Sequence, residues 1–306
     1  MALDQVATIP LPPHAKEGGF DHAAVDERQG RLYVAHTAND AVDVIDVEAR
    51  RYVRSIAGLT AVAGALVSPT DGVVFTSNRG ENTVGVFGPN GDDLTKVRVG
   101  VRPNGLAYDA DRKILLAANV GHPDIAGSLT VSVVDVASRA LVGDIPVPGR
   151  TRWAVFDPIS RLFYVNIADP PCIVMVDAAD RRVVRSLPSP VAGPHGLDLD
   201  VPRRRLFCAC DGGQLLTISL ESGQVEKTAP LSGVPDVVFF NANLSHVYVA
   251  IGDPGVIDVI HAADLHRVAT VKTERGAHTI GFDAARQTVY AFLPQAHSAA
   301  VYRAKA

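Results

Sequence analysis

The chain is poor in several things that would narrow its class at once. It has three cysteines (Cys172, Cys208 and Cys210) in 306 residues, too few for a disulfide framework. No apolar run approaches the roughly 20 residues that span a bilayer. Basic residues are scattered, and the net charge is −4, which argues against nucleic acid or an anionic membrane as the main partner. The opening MALDQVATIPLPPHAKEGG lacks the basic-then-apolar pattern of a secretory signal. A cytoplasmic protein is expected, or a periplasmic or secreted one if a signal has been removed. No C-x-x-C-H, G-x-S-x-G, G-x-x-x-x-G-K-[ST] or H-E-x-x-H string occurs, so neither haem nor nucleotide is expected. Sustained helical periodicity is missing as well.

What is present is repetition. Seven strings share a small or polar residue, an apolar stretch and usually an Asp: GFDHAAVD (19–26), VAGALVSP (62–69), RPNGLAYD (102–109), RTRWAVFD (150–157), GPHGLDLD (193–200), VPDVVFFN (234–241) and GAHTIGFD (276–283). Their aligned first variable positions are Asp21, Ala63, Asn104, Arg152, His195, Asp236 and His278, spaced by 42, 41, 48, 43, 41 and 42 residues. The long interval holds VGHPDIAGS (120–128), read as a loop insertion. Each of the first six strings is followed by three more short β-rich runs bounded by Gly, Pro, Asn and Asp, and the seventh by two.

Four short antiparallel strands every 42 residues or so make a propeller blade, and seven blades fill one all-β domain over 1–306. The blades start near 19, 62, 102, 150, 193, 234 and 276. The last repeat lacks a fourth run, and residues 5–12 resemble one. They are therefore expected to complete the seventh blade, leaving no open sheet edge.

The strings LYVAHTAND, FTSNRGEN, YVNIADP and VYVAIGDP, each followed by a V-x-V-I/F-D-type run, resemble the YVTN-type (YncE-like) β-propeller repeat over nearly the whole chain. That resemblance implies the seven-bladed architecture. Relatives of it include lactonases and streptogramin lyases, and GPHG at 193–196 is similar to strings in the latter.

Propeller topology brings two rings of residues to one mouth of the central channel. The first is the aligned set, with His22 and Trp153 beside it. The second is His36, Asn78, Asn119, Asn166, Cys210, Ile251 and Leu293, followed by loop residues such as Arg79, Glu81, His122, Asp169 and Asp211. Imidazoles with nearby carboxylates suit a divalent metal such as Zn, Mn, Mg or Ca, and His278, His36, Asp21 and Asp236 are the expected ligands. His195 and His22 are expected to act in acid–base catalysis, with Arg152 clamping an anionic group. Trp153, Asn104, Arg79, Asn78, Asn119 and Asn166 are expected to bind substrate. His14, His246, His261 and His266 are read as outer-turn residues, and Cys208 and Cys210 as core. The expected function is metal-assisted hydrolysis or lyase chemistry on a small anionic or carbonyl substrate, by a monomer or small homo-oligomer. A non-catalytic scaffold that binds a ligand or protein on its top face stays open as the alternative.

Overall fold

Short Val-, Ile- and Tyr-rich segments broken by turn residues can bury themselves only by pairing into small sheets and stacking those sheets. The computed structural model describes residues 2–68 and 70–306; Pro69, in the second opening string, lies outside them. Seven separate four-stranded antiparallel sheets form a propeller. Blade 1 comprises Ala23–Asp26, Arg31–His36, Ala41–Asp46 and Arg51–Ala57, from the axis outwards. The innermost strands of blades 2 to 6 are Val62–Val67, Pro103–Asp109, Thr151–Asp157, Pro194–Asp200 and Pro235–Asn241. Blade 7 contains Ile280–Asp283, Thr288–Leu293 and Ser298–Ala304. Among the described residues no helix is long and apolar enough to cross a membrane.

The ring closes where the sequence places the closure. Leu3–Pro10 is the outermost strand of blade 7, with Leu3 opposite Ala304 and Pro10 opposite Ser298. Pairing stops short of residue 12 because Pro12 and Pro13 have no N–H to donate. The Leu11 N–H makes the last bond, to the His297 carbonyl at 2.8 Å.

The core is as modular as the sequence. Seven apolar clusters form, one at each junction between neighbouring blades. That between blades 7 and 1 joins Tyr290, Phe292 and Val301 to Leu32, Val34 and Ile45, and includes Ile9 of the closing strand. The second and third strands of each blade are therefore largely buried on both faces, because each face meets another blade, whereas outermost strands such as Ala140–Pro146 and Val225–Pro230 are mostly exposed. The Asp that ends most opening strings is structural. Asp26 Oδ1 accepts the backbone N–H groups of Arg28 and Gln29 at 3.0 Å, and Asp283 Oδ1 accepts that of Arg286 at 2.9 Å. Such Asx turns reverse the chain between the first and second strands.

Near the axis space is short. A Cβ on Gly105 would lie 2.4 Å from the Arg152 carbonyl oxygen, and one on Gly196 would lie 2.3 Å from that of Asp236. These two glycines let adjacent inner strands approach, and so set the spacing of the residues at their mouth ends.

Candidate active site at the channel mouth

The inner strands converge at one end of the channel on a polar cavity of about 180 Å³. Asp21, Asn104, Arg152, His195 and Asp236 of the aligned set line it, with His22, Arg79, Arg102 and Arg150. His195 is its best-held side chain. Its Nδ1 is 2.7 Å from Asp211 Oδ1, and its Nε2 is 3.1 Å from Asp236 Oδ1. A ring flanked by two carboxylates must donate from both nitrogens, which makes it an imidazolium. Burial pulls its pKa down, but the bonds to Asp211 and Asp236 outweigh this and raise it to about 9. Arg152 Nη1, 3.3 Å from Nε2, then faces another cation. Arg152 is anchored instead through Nη2 to Asp211 Oδ2 at 3.3 Å.

Asp236 holds a second imidazole, His278, whose Nδ1 lies 2.7 Å from Oδ2. Despite burial, the two histidines keep the Asp236 carboxyl well below the usual carboxylate range. Burial lowers the His278 pKa, and Asp236 with Asp21 more than restores it, so the net shift is upward. Asp211, His195, Asp236 and His278 thus form one continuous chain around the rim. Asn166 supports it from below: Nδ2 donates to the His195 carbonyl at 2.8 Å.

Across the cavity Arg79 donates through Nη2 to Asp21 Oδ2 at 3.3 Å and to Asn104 Oδ1. Arg102 and Arg150 add two further guanidinium groups. Burial, and then the neighbouring Arg152, Arg102 and Arg79, disfavour the Arg150 cation. Four guanidiniums and the His195 imidazolium face three carboxylates, Asp21, Asp211 and Asp236. In a chain of net charge −4, this rim carries surplus positive charge, and a concave cationic surface concentrates anions.

The mouth continues sideways. Arg102, Val120 and Arg150 also line a larger cavity of about 800 Å³ beneath the inserted loop 120–128. Its wall is mostly apolar, with Ile125, Leu129, Val147 and Pro148, and it includes His122 and Asp169.

His22 lies under the mouth, with its ring centroid 4.0 Å from that of Trp153. Burial lowers its pKa, so it is a neutral imidazole. The second ring does not reach the cavity. Asn78, Asn119, Asn166 and His36 are fully buried and turn back into their blades or towards a neighbour. Asn78 bonds Thr83 at 3.0 Å, Asn119 bonds Thr130 and Ser132 at 2.9 Å, and His36 bonds Asp43 at 2.7 Å. Their amides and imidazole satisfy polar groups at strand ends, which burial makes obligatory. Of the four expected metal ligands, Asp21, Asp236 and His278 share the mouth, whereas His36 packs against His14 and Phe20.

Among the described residues only His261, Asp264 and His266 bring three ligand atoms within 4.8 Å of one another. They occupy an outer turn of blade 6. Their strand neighbour His246 is only 5% exposed, not a solvated turn residue. Cys208 and Cys210 are free, fully buried core thiols. Asp211, expected among the loop residues after the second ring, is the one that clamps His195, whereas Arg102 and Arg150 escape the aligned positions because they stand just before an inner strand. An arginine next to each of two repeat openings (Arg102 and Arg150) was the available signal.

No protein-family model matches the chain, and no curated protein does. Among solved structures, a chain of Kuenenia stuttgartiensis hydrazine synthase is similar with a TM-score of 0.82 at 14% identity, covering 95% of this chain and 97% of that one. At that identity the likeness shows a shared β-propeller fold and nothing finer.

Proposed function

We propose that the protein is a small-molecule enzyme acting at the channel mouth on an anionic substrate. In this reading a carboxylate or phosphate sits against Arg102 and Arg150, and the apolar body of the molecule lies under loop 120–128. His195 is a fixed general acid. Asp211 orients its ring, and the Nε2 proton now given to Asp236 passes to a carbonyl or leaving oxygen. Hydrolysis of an ester or lactone, or an elimination, are the reactions such an acid assists, in keeping with the YVTN-type resemblance of the repeats. The carrying observation is the His195 ring held between two carboxylates inside an arginine-rich rim.

A metal-assisted form of the same chemistry would place Zn²⁺, Mn²⁺, Mg²⁺ or Ca²⁺ against Asp21, Asp236 and His278, with His278 giving up its proton. This needs the three to draw together from their present separation. A scaffold without catalysis would keep the anion site and lack turnover.

The test is titration of inorganic phosphate and of ester- or lactone-bearing carboxylates into wild type, Arg150→Ala and His195→Gln, followed by product analysis. Anion binding weakened about tenfold in Arg150→Ala, with turnover lost in His195→Gln, is expected. Binding without turnover by wild type would favour the scaffold. Binding indifferent to Arg150 would remove the proposed site.

A further inference from the structure

Beyond the His22–Trp153 contact the axial channel widens again, into a second cavity of about 340 Å³. Its wall is apolar and aromatic, with Tyr108, Trp153, Phe156, Phe239 and Phe282 among its lining residues. One carboxylate enters it, Asp198 of blade 5. At the corresponding position of the other six blades the chain has Ala24, Leu66, Ala107, Val155, Phe239 and Gly281. A single acid therefore interrupts an otherwise apolar ring.

Asp198 accepts the Phe240 N–H through Oδ2 at 2.6 Å and the Leu199 N–H through Oδ1 at 2.8 Å. No cationic side chain among the described residues pairs with it; burial raises its carboxyl to about 6, against the pull of these two N–H groups alone. At neutral pH the group is ionised, uncompensated, and has lone pairs to spare on both oxygens. A buried charge without a counter-charge is costly. The faces of the surrounding rings attract cations. The volume lies at the small end of ligand cavities.

We propose that this lower chamber binds a small organic ammonium ion, its charged head against Asp198 and its apolar body against Trp153, Phe239 and Phe282. This does not depend on the reading of the mouth.

The test uses benzylamine, its neutral isostere benzyl alcohol, and phenylacetate, titrated into the full chain. Calorimetry and fluorescence of Trp153, the only tryptophan, serve as readouts. Benzylamine should bind saturably, at least tenfold tighter than the alcohol, and phenylacetate should not bind. Asp198→Asn should reduce benzylamine to the level of the alcohol, while Arg150→Ala at the mouth leaves it unchanged. Equal binding of amine and alcohol, absence of saturable amine binding, or an Asp198→Asn variant that still prefers the amine would each overturn the proposal. That last result would leave Asp198 as only a cap for the Phe240 N–H. Should Asp198→Asn not fold, the ranking of the three ligands on wild type decides alone.

Discussion

The imidazole of His22, from blade 1, packs against the indole of Trp153, from blade 4, with ring centroids 4.0 Å apart. This contact crosses the channel and separates two chambers of opposite character, a cationic mouth and an aromatic chamber holding one acid. Both rings line the aromatic side, and His22 also lines the mouth. Neutral His22 suits the role, since a charged ring would have to be desolvated beside the indole.

Trp153→Ala should therefore join the chambers. Trp153 is only partly buried, so the expected loss of stability is about 1–3 kcal/mol, below the range for a fully buried aromatic. Trp153→Phe should recover most of it. Urea unfolding of the two variants measures the difference, and equal stability of Ala and Phe variants would show that the contact does not hold the ring together.

His195 gives a prediction with a definite sign. An unfolded imidazole titrates near 6.5, and the folded one at about 9. Its contribution is complete below about 6.5 and disappears as pH rises through 9, with a size of about 3 kcal/mol. The melting temperature of wild type should fall between pH 7 and 10. His195→Gln should start lower and stay flatter over that window. Anion binding at the mouth should fade over the same range, because the rim loses a positive charge. Parallel pH profiles for the two proteins would refute the clamped imidazolium.

The architecture was legible because a blade cannot bury its faces alone. The 42-residue period, the small residues of the inner strands (Ala23, Gly64, Ala65, Gly105 and Gly196) and the orphan strand at the N-terminus all answer that one requirement. The first ring was legible for the same reason: Asp21, Asn104, Arg152, His195 and Asp236 occupy one repeat position and meet at the axis. The second ring misleads. Residues such as His36 and Asn78 occupy equivalent positions too, but their side chains satisfy polar groups inside the blade, and repeat alignment does not report side-chain direction. Arg102 and Arg150 escape the repeat alignment because the loops carrying them vary between repeats, whereas Asp211 is placed at the mouth by the sequence but without its role as the clamp of His195. Asp198 is readable as the lone acid in an otherwise apolar column of aligned positions.

Gly196 tests how the mouth is spaced. A methyl group there would meet the Asp236 carbonyl oxygen and the Val238 side chain, the latter at 2.7 Å. Backbone on one side leaves no rotamer to yield, so blades 5 and 6 must separate at the axis. Gly196→Ala should destabilise the fold by about 2–3 kcal/mol and weaken anion binding, since His195 and Asp236 flank that contact. Gly213→Ala is the control on space: nothing lies within 4 Å of its Cβ. Its positive φ adds only local strain, so the change should lower stability without altering anion binding. An unchanged anion affinity in Gly196→Ala would separate the mouth from the glycine contact.

The outer turn of blade 6 bears on how any metal measurement is read. His261 Nδ1 and His266 Nδ1 lie 2.9 and 2.7 Å from Asp264 Oδ1, and the two rings stack at 5.0 Å. Two imidazoles and a carboxylate make a donor set for Zn²⁺. The hydrogen bonds from the histidines hold the Asp264 carboxyl well below the usual carboxylate range, so it is ionised and available. At the mouth, by contrast, both nitrogens of His195 are engaged with carboxylates, and His278 is held towards its protonated form. Zn²⁺ added to untagged protein at pH 7 should therefore bind the outer turn, and His261→Ala/His266→Ala should abolish stoichiometric binding while His278→Ala keeps it. The reverse pattern, with zinc retained in the double variant and lost with His278→Ala, would place the ion at the mouth, as the metal-assisted form of the chemistry requires.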